Sequence, residues 1–227
     1  MSDHKKIILA LFCGLLGCLC FGVGDWLMLY GDTTYSGTVS WLTVGVAQIA
    51  PWRNNLAMML SFPGIIFYGI ALFSIGKLIK AERRQKIYHY LTAFSLTPWL
   101  CLHLFYIMIL YSFAWMSNNG YDSAALPVSE AIISHFSWLV PVTEVLMLPP
   151  YLYWAWIVLH HETVLPRQMA LSNPLIFYLL LKLLTLLMPD CAFRLAFTNG
   201  LMSESMVLWF GSIFVWLCLQ RKCVKLR

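Results

Sequence analysis

Charge is what this sequence has least of. Only 11% of its 227 residues are Asp, Glu, Lys or Arg, against 60% hydrophobic residues and a mean hydropathy of +0.74. So little polar surface cannot coat a water-soluble globule of this size, which leaves a polytopic, all-α membrane protein. A Gly-rich phosphate loop, a nucleophile elbow and a Cys-x-x-Cys pair are also missing. Their absence removes the function classes that carry those signatures. There is no internal repeat and no low-complexity tract, and no basic connection is long enough to hold a soluble domain.

Metal and cofactor patterns are equally thin. His160-His161-Glu162 lacks the i, i+4 histidine spacing of a zinc helix and has no third ligand nearby in sequence, so it reads as a solvated loop with no metal and no cofactor. Of the seven cysteines, Cys13, Cys18, Cys20, Cys101 and Cys218 fall in apolar stretches, Cys223 in the tail and Cys191 in a polar loop. No second polar-loop cysteine is there to oxidise with Cys191, so free thiols are expected.

The charge that is present is sorted. Twelve of the fifteen Lys and Arg residues fall in four places: Lys5 and Lys6; Lys77, Lys80, Arg83, Arg84 and Lys86; Arg167; and Arg221, Lys222, Lys225 and Arg227. All four land on one side of a membrane if the chain crosses six times. Basic residues are retained on the cytoplasmic side, so both termini are expected inside. These short clusters at helix ends suit lipid headgroups rather than nucleic acid, despite a net charge of +5.

Apolar runs predict six spans in a single membrane domain: 7–29, 56–75, 90–115, 131–159, 169–188 and 202–219. Each can cross a core of about 30 Å at a rise of about 1.5 Å per residue. Lys5-Lys6 before the first span imitates a signal peptide, but the apolar run continues to Gly24. Ala10, Gly14, Cys18 and Gly22 also form a small-residue stripe suited to a retained, closely packed helix. Pro63, Pro98, Pro141, Pro149, Pro150 and Pro174 predict kinked or late-starting helices.

Polar residues inside the spans carry the functional signal. His103 and Glu144 fall near the midplane on two helices, and Lys182 lies on a third, about two turns shallower. An unpaired charge there costs about 2.5–3.5 kcal/mol by insertion scales, so it is normally paired or turned into a polar cavity. Two readings follow. In one, the three form a site with Glu144 as general acid or base, Lys182 as its electrostatic partner and His103 as proton relay. In the other, Glu144 and Lys182 are a structural ion pair, or Lys182 snorkels to the surface. A second polar group, Asp25, His135, Asp190, Arg194, Asn199 and Glu204, gathers at the non-basic mouth, either lining an entrance or capping helix ends.

The stretch Gly24-Asp25-Trp26-Leu27-Met28-Leu29-Tyr30-Gly31, then Trp52-Arg53-Asn54-Asn55-Leu56 opening a helix with Gly64 and Gly69, then a third helix with His103, carries a resemblance. It resembles a group of small multi-pass bacterial membrane proteins of unknown function. That implies the bacterial cytoplasmic membrane and carries no activity across. The expected protein is a six-helix bundle with a polar pocket for a lipid-like or isoprenoid-like molecule. The alternative is a non-catalytic transporter subunit or accessory protein whose buried charges are structural.

Overall fold

The computed structural model describes residues 2–220, apart from the side chains of Val140, Thr143 and Glu144. The described residues form helices and no strand. Helix α1 (Asp3–Leu29) starts at Ser2, whose hydroxyl accepts from the Lys5 amide. One turn, α2 (Val44–Ala47), interrupts the following loop. Pro51 then opens α3 (Pro51–Ile75) in its first turn, where a missing N–H removes no hydrogen bond.

Helix α4 (Glu82–Asn118) is longer than its apolar run. Its 37 residues rise about 55 Å, because Glu, Arg, Gln and Lys continue a helix readily outside lipid. Glu82 and Lys86 pair across 2.7 Å on its first turns, and the Arg84 guanidinium lies 4.7 Å from the Trp156 ring centre. The basic connection therefore shrinks to a short turn after Ile75 and a basic first section of α4.

The stretch expected as one fourth span is divided into α5 (Asp122–His135), α6 (Leu139–Leu146) and α7 (Leu148–Leu159). Proline is the reason. Pro141 follows the first break, and Pro149 and Pro150 deny amide donors at the second and crowd the carbonyls four residues before them. Helix α8 (Pro174–Leu186) is also shorter than its apolar run, because Asn173 and Pro174 set a firm start: the Asn173 side chain accepts from the Leu175 amide at 2.9 Å and donates to the Tyr151 carbonyl at 3.0 Å. Helices α9 (Ala192–Asn199) and α10 (Leu201–Leu219) complete the described chain. Four of its helical stretches are long and apolar enough to cross a membrane: α1, α3 continued to Leu78, α4 and α10.

Helix α1 lies against both α3 and α10. Gly17 makes the first contact possible, since a Cβ there would stand 2.8 Å from the Tyr68 amide nitrogen and 2.9 Å from the Gly64 carbonyl oxygen. Ala10, Gly14 and Cys18 of the small-residue stripe are buried in these interfaces, while Gly22 faces a groove. The shared core is aromatic: Tyr68, Tyr151, Trp154, Trp209 and Phe210 are all fully buried. Within it the Tyr68 and Tyr151 hydroxyls meet at 3.2 Å, and Tyr151 donates to the Met206 sulfur at 3.3 Å.

The bundle has two chemically distinct ends. At one, Lys80 donates its amide to the Glu162 carbonyl at 2.8 Å, Ile79 pairs with Thr163, and Asp3 beside Lys5 and Lys6 feels the charge of Lys77. Arg167 follows directly, so the first three basic clusters share this end; residues 221–227, with the fourth, lie outside the described residues. At the opposite end Asn118 donates to the Ala47 carbonyl at 2.8 Å, and Glu130 holds the loop after α1.

Candidate functional site

A groove of about 620 Å³ runs along α1 at the end remote from the lysines. From Cys18 to Tyr30 it rises about 18 Å. Leu19, Val23, Leu27, Phe193 and Val207 make most of its wall, and Gly22 leaves space where a side chain would stand. Two charged residues interrupt this apolar surface, Arg53 and Glu204.

Trp26 joins them. Its indole N–H donates to Glu204 Oε1 at 3.4 Å, and its backbone carbonyl accepts from Arg53 at 3.4 Å. Arg53 also donates to the Tyr30 carbonyl at 2.7 Å, so a cation on the first turn of α3 satisfies the open carbonyl end of α1. Glu204 sits in the first turn of α10, where the helix dipole favours an acid, with its carboxylate laid over Gly200. Its Oε2 is buried and has no hydrogen-bond partner. Asp25 lies close enough on α1 to feel the Glu204 charge, and neither acid has an ion-pair partner among the described residues. A carboxylate with one oxygen lacking a donor, on the wall of a mostly apolar groove, suits a ligand carrying a hydroxyl or ammonium group.

A second cleft of about 530 Å³ lies on the other side of α9. It brings together four residues singled out from sequence: Lys182, Asp190, Arg194 and Asn199. Arg194 is ion-paired to Asp190 and donates to the Met188 carbonyl at 3.3 Å; Asn199 donates to the Leu195 carbonyl at 2.8 Å. Thr33, Tyr35, Ser40 and Trp41 of the loop after α1 close the cleft opposite them. That loop is anchored by Glu130, whose carboxylate accepts from the Thr38 amide, from the Thr38 hydroxyl at 2.9 Å and from the Val39 amide at 3.0 Å. These donors hold the Glu130 carboxyl below its ordinary range, the Val39 amide most strongly. Asp32 is held low in the same way by the Thr34 amide.

The remaining candidates stand elsewhere. His103 is stacked on Trp99 with ring centres 5.4 Å apart and meets Phe21 edge-on at 5.1 Å; it lines neither the groove nor the cleft. His135 is exposed at the end of α5, against Phe136. The Glu144 side chain lies outside the described residues, its backbone in α6. His160 bonds back to the Trp156 carbonyl, and His161 takes a left-handed conformation (φ 58°) in the turn that receives Lys80. All six described cysteines are free.

A family model matches residues 1–221 of the chain. The chain belongs to a family of unknown function, DUF6796. No curated protein and no solved structure matches it. For this DUF6796 member the residues that sequence reasoning passed over are Arg53 and Trp26. Arg53 was one of three cations outside the basic clusters, and that isolation was the available signal.

Proposed function

We propose that the protein binds an amphipathic, lipid-like molecule in the groove along α1, its polar head between Arg53 and Glu204 and its chain along Leu19, Val23 and Val207. The observation that carries this reading is the Glu204 carboxylate, one oxygen of which has no partner, in a mostly apolar wall. A hydroxyl or ammonium on the head group donates to that carboxylate once it turns into the groove, and the N–H groups Arg53 does not spend on α1 donate to a phosphate or carboxylate. Isoprenoid alcohols and polar lipids share this pattern.

The setting we infer is the cytoplasmic membrane of a bacterium, crossed six times with both termini inside. Three basic clusters at one end of the bundle support the orientation. The passage from Asn118 at one end to Glu162 at the other, then back to Arg194, supports two further crossings, made by the broken α6 and α7 and by the short α8. A second reading, an accessory or transporter subunit without a ligand of its own, draws support from Arg53 and Arg194, both engaged in structural bonds.

Native mass spectrometry of the full chain released from membranes in mild detergent tests the first reading. A Cβ added at Gly22 meets nothing closer than the Glu204 and Ser203 side chains at 4.0 Å, so Gly22→Leu is expected to enter the groove with the helices still packed. The wild type is expected to carry a bound lipid that the variant loses. A folded Gly22→Leu protein with the same cargo, or a wild type with none, overturns the reading.

A further inference from the structure

We infer that the polar cleft beyond α9 is a second binding site, for a phosphate-bearing group, separate from the groove. Helix α9 divides the two: Phe193 faces the groove, whereas Arg194 and Leu195 face the cleft. The balance of charge in the cleft is positive. Asp190 is committed to Arg194, which leaves Lys182 with no ion-pair partner among the described residues. Lys182 is also held on a helix whose neighbours Leu179, Leu180, Leu183 and Leu184 are exposed apolar residues, a setting in which an ammonium group that does not snorkel to the surface is kept against an opposing charge or in a polar cavity. The cavity is there, and the opposing charge is what a ligand supplies.

Hydrogen bonding points the same way. Thr198 Oγ1 is buried in the cleft wall with no partner, and Thr33 and Ser40 present further hydroxyls from the opposite side. A phosphate offers negative charge and several acceptor oxygens, which matches an ammonium group with no ion-pair partner among the described residues in a cleft that hydroxyl-bearing side chains also line. The loop supplying Thr33 and Ser40 is tied down by Glu130 at Thr38 and Val39, which holds the backbone between them in place.

The chemistry is shared by a free phosphorylated solute and by a lipid head group, and titration calorimetry separates them. The full chain in phosphatidylcholine nanodiscs is titrated with inorganic phosphate, glycerol 3-phosphate and dihexanoyl phosphatidic acid. Binding of either soluble phosphate identifies a solute site, and binding of the lipid alone that Lys182→Gln weakens and Gly22→Leu does not identifies a head-group site; both support the inference, whereas lipid binding lost only in Gly22→Leu belongs to the groove and overturns it. Lys182→Gln is expected to weaken binding about tenfold, as loss of one charged hydrogen bond does, while Lys182→Arg retains it. Thr198→Val, which removes only a buried hydroxyl, gives a second reading with no demand on folding and is expected to weaken binding severalfold. Gly22→Leu should leave the binding of inorganic phosphate and glycerol 3-phosphate unchanged, so the groove and the cleft can fail independently. No binding of any of the three probes, or equal binding by wild type, Lys182→Gln and Thr198→Val, overturns the inference.

Discussion

The indole N–H of Trp26 donates to the Glu204 carboxylate across 3.4 Å, tying the last turn of α1 to the first turn of α10. Only one carboxylate oxygen is served by this bond, and the other is buried without a hydrogen-bond partner. Glu204→Gln keeps the shape and the bond from Trp26 while removing the charge. The variant is expected to fold normally and to lose most of its bound amphiphile, read as the lipid-carrying fraction in native mass spectra. Unchanged occupancy would remove Glu204 as the polar anchor.

The close approach of α1 and α3 at Gly17 sets up a contrast between two glycines. Gly17→Leu drives a side chain into the Tyr68 backbone and should lower stability by about 3 kcal/mol, the upper part of the overpacking range. Gly22→Leu, pointing into the groove, should be close to neutral. Thermal unfolding of both in the same detergent makes the comparison.

The paired hydroxyls of Tyr68 and Tyr151 predict strong non-additivity. Tyr151→Phe leaves the Tyr68 hydroxyl buried without its partner and should cost about 1–3 kcal/mol. Adding Tyr68→Phe removes the stranded group as well, so the double variant should be more stable than the sum of the two single losses. A double-mutant cycle by thermal or denaturant unfolding reads the coupling directly.

Glu130 makes the loop after α1 sensitive to acid. Its carboxyl is held below the ordinary value of 4.5 by the Val39 and Thr38 amides and the Thr38 hydroxyl, so its contribution is fully present above that value and is lost as pH falls through the depressed one. Amide exchange in residues 31–43 is therefore expected to rise below about pH 4 while the bundle stays protected. Glu130→Gln should reproduce the faster exchange at neutral pH, since a neutral amide is a weaker acceptor for the same donors. Exchange that ignores both changes would detach Glu130 from the loop.

Helical class and four long apolar helices were legible because apolarity over about twenty residues has no other common meaning. Segment ends were less so. Helix α4 runs on through Arg83, Arg84 and Lys86, since a drop in hydropathy marks where lipid stops and not where helical hydrogen bonding stops. The divisions near Trp138 and Met147 were announced by Pro141, Pro149 and Pro150, but proline in a span predicts a kink or a break without choosing between them. At the site, the cluster of Lys182 with Asp190, Arg194 and Asn199 depends on how far α8 extends, which spacing along the chain does not fix. Arg53 was hidden for another reason: its partners are backbone carbonyls of α1, and a carbonyl leaves no trace in the residue types.

The thirteen residues of α8 rise only about 20 Å, against the roughly 30 Å of hydrocarbon that a bilayer presents. On the six-pass reading, the lipid beside Leu183, Leu186 and Leu187 must pucker to meet so low a wall. A wall that low is expected to dimple one leaflet and to favour thinner bilayers, a preference that reconstitution into lipids of graded chain length tests.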